Sequence, residues 1–219
     1  MNNILGIKIN HKKVYRLMSE LHIKSKIRKK RYKVKPILNI KVPNVLNRNF
    51  VSPKPLEKLC MDVTYIPLKG YKRRFLYLNV VKDLYNNEII AYNMSKNNDI
   101  TLIDETINKL HKLAVKPNCI LHTDQGFQFT RNEYLSQLKR HNIIPSMSRK
   151  GNCWDNSPAE VFFSHLKSET IRLEPTGNFN ELREKIDDYI WFYNNERIQI
   201  KMGMSPVDYR THTKKGLSF

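Results

Sequence analysis

Cysteine is scarce in this 219-residue sequence, and its three copies, Cys60, Cys119 and Cys153, lie far apart without a Cys-x-x-Cys pair. That spacing fits neither a disulfide framework nor a zinc knuckle, so we expect reduced and mostly buried thiols. Long hydrophobic runs are also missing. No stretch reaches the roughly 18 to 20 apolar residues that cross a bilayer, and no charged segment followed by an apolar one opens the chain. These absences predict a cytoplasmic protein without a membrane partner.

Acidic residues are few as well. The chain has 39 Lys and Arg against 20 Asp and Glu, which gives a net charge of +19 and a pI near 9.8. Fixed cations gain affinity for a polyanion by releasing its counterions, so this balance favours a nucleic acid over a membrane surface. The excess is uneven, because the first 60 residues hold 16 basic and only two acidic side chains. An N-terminal arm is therefore the main candidate for phosphate binding.

One amphipathic helix is predicted within this arm. Asn10 is a good helix cap, and apolar residues after it recur at helical spacing, namely Val14, Leu17, Met18 and Leu21. Two interpretations stay open: the second helix of a helix-turn-helix that enters a major groove, or a solvated amphipathic helix followed by a disordered basic tail. Under the first, the candidate DNA contacts of the arm are Lys12, Lys13, Arg16, Lys29, Lys30 and Arg31.

Proline marks the end of the arm. Residues 36–55 contain four prolines and four asparagines with little periodicity, which is typical of a linker. We therefore expect a partial helix-turn-helix and basic arm over residues 1–35, a linker over 36–55 and a core domain over 56–175. A C-terminal helix and tail over 176–219 complete the core. Within that helix, helical spacing predicts that the aromatic residues 191–193 are core or subunit contacts.

Secondary structure after residue 56 is predicted from periodicity. Three β-rich segments follow one another through short polar turns, which indicates an antiparallel meander. A helix, a strand, a second helix and a further strand come next. The first six segments cover residues 59–68, 75–83, 88–94, 100–113, 119–122 and 132–141. This order predicts an α/β fold with a mixed sheet and helices on its faces.

Two aspartates and one glutamate stand out in this framework. Asp62 lies inside an otherwise apolar strand, Asp124 ends another strand just before Gly126, and Glu160 falls near the start of a probable helix. Taken alone, each aspartate is usually a turn cap or an ion-pair partner. Carboxylates at the ends of buried strands are costly unless something pairs with them, and Mg²⁺ is a natural partner for hard oxygen ligands. The three residues are therefore candidate metal ligands.

Three sequence blocks resemble the signature blocks of DDE transposases with a retroviral-integrase-type core. They are Asp62-Val63-Thr64-Tyr65-Ile66, His122-Thr123-Asp124-Gln125-Gly126 with Phe129, and Asp155-Asn156-Ser157-Pro158-Ala159-Glu160. Thirty-five residues lie between Asp124 and Glu160, as in the integrase-like group. A lysine two helical turns beyond the glutamate and a distal Tyr-Asn-x-x-Arg then Ser-Pro extend the resemblance, matched by Lys167, Tyr193, Asn194, Arg197, Ser205 and Pro206. The chain is similar to insertion-sequence transposases of the second-reading-frame, frameshift-fused type from about residue 10 to residue 210.

The resemblance implies an RNase H-like catalytic core and metal-dependent cutting and joining of DNA. Asp62, Asp124 and Glu160 become the catalytic residues, holding two ions of Mg²⁺ or Mn²⁺ with Asp62 shared between them. Water then exposes a 3′-hydroxyl at the transposon end, and that hydroxyl attacks another strand. The implied partners are transposon-end and target DNA, further copies of the chain on that DNA, and an upstream-frame product as fusion or binding partner. A cytoplasmic, nucleoid-associated location follows.

Two further DNA contacts follow from the resemblance. Lys167 stands at i+7 from Glu160 on the same helix face, where a compact cation could hold a phosphate. Taken alone, a lysine at this position would simply be exposed to solvent without a role in binding. Asn156 is predicted to build the start of the helix and to contact DNA.

Alternatives to the transposase also fit these residues. A nuclease of the same fold that only hydrolyses nucleic acid would use the same metal site. An inactive, DNA-binding transposase remnant is a third possibility. Only nine residues precede Asn10, fewer than relatives have, so we expect the first helix of the helix-turn-helix to be short or missing.

Overall fold

A computed structural model of the protein describes residues 10–24, 42–113, 115–149 and 153–214. The chain divides into two compact units, Met1–Arg31 and Tyr32–Phe219. The described part of the smaller unit contains helix α1 (His11–Glu20), and the Asn10 side chain caps it by accepting from the Lys12 amide at 3.0 Å. Among the described residues no helix is long and apolar enough to cross a membrane.

The candidate DNA contacts of the arm fall partly inside the described residues. Lys12, Lys13 and Arg16 are exposed on α1, and Arg16 pairs with Glu20 at 3.5 Å one turn later. The basic residues 29–31, which are Lys29, Lys30 and Arg31, lie outside the described residues.

The larger unit is built on a five-stranded mixed sheet. Its strands are β1 (Lys58–Pro67), β2 (Phe75–Asp83), β3 (Ile89–Ser95), β4 (Ile120–Thr123) and β5 (Ile144–Met147). They lie in the order β3-β2-β1-β4-β5, with β1, β2 and β3 antiparallel and with β4 parallel to both β1 and β5. The predicted meander and mixed sheet are confirmed.

Helices cover both faces of this sheet. The chain continues through α2 (Ile100–Lys112), α3 (Asn132–Arg140), α4 (Ser157–Leu166), α5 (Phe179–Asn195) and α6 (Pro206–Lys214). A 3₁₀ turn (Cys153–Asn156) precedes α4, and a π-helical turn (Lys167–Ile171) follows it.

Alternation along β1 decides which residues face which helices. Leu59 and Met61 pack with apolar residues of α2 and α3, whereas Ile66 packs with those of α4 and α5. Since successive strand residues point to opposite faces, the even-numbered residues of β1, Asp62 among them, face the α4 side. Both cores are dry, with Leu59 and Ile66 at 0% exposure.

Residues 42–56 pack against the sheet. Leu46 is 2% exposed, and its amide donates to Ser146 Oγ at 3.0 Å. The Met147 amide on β5 donates to the Pro43 carbonyl at 3.2 Å, and the Leu56 amide donates to Asp83 Oδ2 at 2.9 Å. The described part of the segment assigned to a linker by its composition is therefore held to β5 at Pro43 and Leu46 and to β2 at Leu56.

Asp155 joins this segment to the turn before α4. Its side chain is 0% exposed, and it accepts from Arg48 Nε at 2.7 Å and Arg149 Nε at 3.0 Å. Asn44 Nδ2 and the Arg149 amide also donate to it, each at 3.0 Å. The hydrogen bonds from Arg149, followed by those from Arg48, hold the pKa of Asp155 far below its usual range. A buried, charged carboxylate thus fixes the start of the α4 segment.

Residues of the distal Tyr-Asn-x-x-Arg motif bind α5 to neighbouring elements. Asn194 accepts from the Ile89 amide and donates to the Ile89 carbonyl, both at 2.9 Å, which locks α5 to the start of β3. Arg197 binds Glu169 of the π-helical turn through two nitrogens, at 2.9 and 2.6 Å. The motif therefore joins α5 both to the sheet and to the end of α4.

The aromatic run in α5 divides between core and surface. Tyr193 is 1% exposed, whereas Trp191 and Phe192 are 59% and 38% exposed. Only Tyr193 joins the core, and subunit contact stays a prediction for the other two.

Replacing Asp155 with Asn should lower the free energy of unfolding by about 3 kcal/mol, the lower end for breaking a buried ion pair, because its arginines are half exposed. Urea unfolding at pH 7 measures the change, with Asp188→Asn on the exposed face of α5 as control. Because the folded-state pKa is depressed, the wild-type advantage is present above the ordinary aspartate pKa of about 4 and should shrink as the pH falls below it. An equal loss in both variants would contradict the anchoring role of Asp155.

Asn194→Ala should cost about 2 kcal/mol of stability, since it leaves both polar backbone groups of Ile89 without their partner. Asn195→Ala is the matched control, because among the described residues the side chain of Asn195 donates to the Trp191 carbonyl of its own helix and to no strand. Thermal unfolding of both variants should show a clear drop in Tm for the first and little change for the second. Similar Tm values would mean that Asn194 does not clamp β3.

Candidate active site

The parallel register of β1 and β4 brings two of the candidate carboxylates side by side. Cys60 on β1 stands opposite His122 on β4. Asp62 and Asp124 each follow two residues later, so they come level with one another and point to the same face. Asp62 lies within β1, and Asp124 lies one residue beyond the end of β4.

Glu160 reaches that face from the first turn of α4. The residue before it, Ala159, is buried in one cluster with Cys60, whose side chain shares the face of Asp62. The start of the helix is tied to the sheet at two points: Asn156 Nδ2 lies 3.5 Å from the Met61 carbonyl, and Lys82 Nζ donates to the Pro158 carbonyl at 3.2 Å. The three predicted carboxylates therefore occupy one side of the sheet, and all three are partly exposed.

Backbone amides orient the two aspartates. The Val63 amide donates to Asp62 Oδ1, and the Gly126 amide donates to Asp124 Oδ1, each at 2.8 Å. A Cβ at position 126 would stand 2.9 Å from Asp124 Oδ1. Glycine at position 126 therefore leaves room for the Asp124 carboxylate to accept from its amide.

The donor set fits a hard divalent cation in its chemistry. Carboxylate and amide oxygens are the ligands that Mg²⁺ prefers, and Asn156 Oδ1 nearby is buried without a hydrogen-bond partner among the described residues. In this conformation, no three His, Cys, Asp or Glu side chains of the described part of the chain lie close enough together to hold a metal ion.

Lys167 stands beside the carboxylates at the other end of α4. The α-helix ends at Leu166, and Lys167 opens the π-helical turn, a feature often found at functional sites. Its ammonium donates to Thr64 Oγ1 and lies 5.5 Å from the centroid of the Tyr65 ring. Thr64 follows Asp62 on the same face of β1, about 7 Å along the strand. The predicted phosphate contact is thus next to the candidate metal ligands.

Buried titratable groups underlie the site. Lys82 is 3% exposed, and burial lowers its pKa to about 8. Burial also raises the pKa of the neighbouring Cys60 thiol to about 12 and lowers that of His122 to about 4. His122 is a neutral strand residue whose Nδ1 lies 2.8 Å from Ser146 Oγ. Cys60 and Cys119 are free and buried, as expected, and the side chain of Cys153 lies outside the described residues.

Sequence reasoning missed three of the basic residues that build this site, Lys82, Arg48 and Arg149. Lys82 had a signal, because a lysine in the apolar strand FLYLNVVKD needs an explanation. Arg48 and Arg149 had none, because their shared partner Asp155 is distant from Arg48 in sequence. The predicted DNA contact Asn156 is 3% exposed, and its amide faces β1, so its DNA contact stays a prediction.

Comparison with protein families matches three parts of the chain. Residues 52–153 match one model described as an integrase core domain, and residues 160–213 match a second with the same description. Residues 1–31 match an HTH-like domain. The first core match contains β1, β4 and both aspartates, and the second begins at Glu160 within α4.

Relatives match nearly the whole chain. It is 41% identical over 211 residues to the putative transposase InsK for insertion sequence element IS150 of Escherichia coli (strain K12), covering 95% of this chain and 74% of that protein. It is also 41% identical over 215 residues to an uncharacterized transposase-like protein of Haemophilus influenzae, covering 94% and 95% of the two chains.

Solved structures agree on the fold. The HTLV-2 integrase catalytic core domain in complex with magnesium aligns with a TM-score of 0.53 at 18% identity, over 70% of this chain and 94% of that one. A chain from the structure of the simian T-cell lymphotropic virus intasome in complex with PP2A regulatory subunit B56 gamma aligns with a TM-score of 0.61 at 15% identity, over 80% of this chain and 58% of that one. The RNase H-like architecture is confirmed. Together with the transposase relatives, the integrase core matches show that the chain belongs to the insertion-sequence DDE transposases, the polynucleotidyl transferases of DNA transposition.

Proposed function

We propose that this transposase cuts and joins DNA at a centre formed by Asp62, Asp124 and Glu160. The observation that carries the proposal is the β1–β4 register, which sets the two aspartates level on the face to which α4 brings Glu160. Three partly exposed carboxylates on one face, beside a lysine, suit a reaction at a DNA phosphate. Each aspartate also has one oxygen already oriented by a backbone amide.

Divalent cations are the proposed cofactor of this centre. We propose two ions of Mg²⁺ or Mn²⁺, which Asp62, Asp124 and Glu160 would hold. The HTLV-2 integrase core that shares this fold was solved in complex with magnesium. When bound, the ions supply Lewis-acid stabilisation of the attacking and leaving oxygens.

The residues of the chain then serve two substitutions at phosphorus. In the first, water attacks a phosphodiester at the transposon end and loses a proton to solvent, while the 3′-oxygen leaves and takes up a proton from solvent. In the second, that 3′-hydroxyl loses its proton to solvent as its oxygen attacks a phosphodiester of another strand, and the displaced 3′-oxygen there takes up a proton. Lys167 holds a phosphate next to the reacting one, which fixes the strand relative to Asp62. Neither step links protein to DNA covalently.

DNA binding is proposed to use both units of the chain. In the described residues, α1 presents Lys12, Lys13 and Arg16 to solvent, and the HTH-like match covers this helix. Lys29, Lys30 and Arg31, outside the described residues, extend the same basic arm. Several copies are proposed to act together on DNA, as in the intasome named above, with the exposed Trp191 as one candidate subunit contact.

A nuclease of the same fold is the competing function, since the carboxylates alone do not distinguish hydrolysis from joining. An oligonucleotide assay with a labelled end duplex and a target duplex separates the possibilities. Joined product supports the transposase, cleaved product alone supports the nuclease, and binding alone supports an inactive remnant.

Glu160→Gln should reduce cutting and joining together by orders of magnitude, because both steps share one centre and the change removes an anionic ligand while keeping side-chain size. DNA affinity should persist or rise slightly, since a negative charge near phosphates is removed. The measurement is Mg²⁺- or Mn²⁺-dependent cleavage and joining beside a gel-shift titration. Glu184→Gln on the exposed face of α5 is the matched control. Wild-type rates in the Glu160 variant would exclude Glu160 from the centre.

The contribution of α1 should appear in the salt dependence of binding. Replacing Lys12, Lys13 and Arg16 with Ala should reduce the slope of log K against log salt by about 3, one for each lost phosphate contact. The control removes three exposed lysines of the larger unit, Lys112, Lys116 and Lys139. Deleting residues 1–54 instead would also remove Leu46 and Arg48, which pack on the core, so a change in binding could come from a damaged fold. Equal slopes for the two triple variants would remove α1 from the DNA interface.

A further inference from the structure

The tip of the β1–β2 hairpin carries a concentrated positive charge that the proposed centre does not use. Residues 69–74 include four basic side chains, Lys69, Lys72, Arg73 and Arg74, and all four are exposed. No acidic residue occurs between Asp62 and Asp83, so this part of the chain carries charge of one sign only. A merely solvated surface usually mixes both signs of charge, so an unbalanced cluster indicates a polyanionic partner.

This tip is rigidly supported. The Lys69 amide donates to the Thr176 carbonyl at 2.8 Å, and the Leu68 amide donates to the Arg74 carbonyl at 3.0 Å. Gly177 touches the same backbone so closely that a Cβ there would stand 2.7 Å from the Lys69 carbonyl oxygen. Because folding already orders this loop, binding a ligand costs less conformational entropy.

A row of aromatic rings and cations extends along β1 from Lys167 to the tip of the hairpin. The Lys167 ammonium lies over Tyr65, and the Tyr65 ring meets the Phe75 ring edge-to-face at 5.4 Å. Phe75 adjoins Arg74, whose guanidinium lies 4.6 Å from the centroid of the Tyr71 ring. Cations thus stand at both ends of this row of rings. Tyr65 is odd-numbered, so it points away from the Asp62 face, and Lys167, which also donates to Thr64, links the row to that face.

The distance along β1 from Asp62 to the hairpin tip can be compared with the phosphate spacing of DNA. From Asp62 to Pro67, β1 advances about 17 Å at roughly 3.4 Å per residue. Phosphates of one DNA strand are spaced about 3.4 Å along the helix axis, so the tip lies about five or more phosphates from the reacting one.

We propose that residues 69–74 bind the phosphate backbone of the transposon-end duplex, about five to eight phosphates inside the cleaved one. The inference rests on the proposed function, because the carboxylate centre defines where cleavage occurs. The end duplex is favoured over the target because Lys167, the proposed contact to the end, lies between the centre and the tip. Tyr71 and Arg74 form a flat, preordered surface, and Lys72 and Arg73 supply the adjacent charge.

The test measures binding by the full chain without divalent metal, so that no cutting occurs. The probe is a 30-base-pair duplex (an arbitrary test length of about three helical turns) of the element's terminal sequence, taken from the DNA that flanks the gene. Lys72→Ala with Arg73→Ala should weaken binding about tenfold and lower the salt slope by about 2. Lys112→Ala with Lys139→Ala, on the opposite face of the sheet, removes the same charge and should change little.

Neutral methylphosphonate linkages locate the contact on the DNA. Placed at phosphates five to eight of the end duplex, they should weaken wild-type binding as the double variant does, and they should add little to the loss in that variant. Equal losses in the two double variants would reduce the effect to overall charge and overturn the proposal. Sensitivity to methylphosphonates in a target duplex instead would assign the tip to target DNA, and unchanged affinity would point to an acidic protein partner; either result overturns it.

The binding readout does not depend on catalysis. An active Glu160→Gln variant together with an intact hairpin effect would refute the carboxylate centre and leave the hairpin contact standing. An inactive Glu160→Gln variant, together with unchanged binding in the Lys72 and Arg73 double variant, would refute the hairpin contact alone.

Discussion

The parallel pairing of β1 with β4 is the constraint on which the rest of the site depends. Because side chains alternate along a strand, a slip of one residue in this register would place Asp62 and Asp124 on opposite faces of the sheet. The register is held by burial, since Leu59 and Leu121 share one core while Cys60 belongs to the other side. The same alternation that fills both cores therefore also sets the two aspartates level.

The third carboxylate depends on a different kind of interaction. Glu160 sits on a helix whose start is fixed by a buried, charged Asp155, held by arginines from two separate segments. At the far end of the same helix, Arg197 grips Glu169 in the π-helical turn that begins with Lys167. The candidate metal ligand and the candidate phosphate contact thus belong to one rigid element clamped at both ends by ion pairs.

Sequence patterns predicted the elements of the core well, because strands with two-residue periodicity and helices with caps are local features. The order of strands and the carboxylate blocks pointed to the correct fold. They did not reveal that the segment 42–56 is held to β5 at Pro43 and Leu46, because proline- and asparagine-rich composition is shared by free linkers and by irregular docked segments. Trp191 shows a second limit: helical spacing places it near the apolar stripe, but only packing decides that Tyr193 is buried and Trp191 exposed. The role of Gly126 likewise depends on tertiary structure, since the sequence does not show that the Asp124 carboxylate lies so close to it.

The central claim is that Asp62, Asp124 and Glu160 together hold the divalent ions that serve DNA cutting and joining. The most direct test is a crystal of the full chain bound to its end duplex with Mn²⁺, in which anomalous scattering locates each ion. The account predicts anomalous peaks between the ends of β1 and β4 and the first turn of α4, with all three carboxylates as ligands. Peaks that involve only the two aspartates, or that lie elsewhere on the protein, would contradict it.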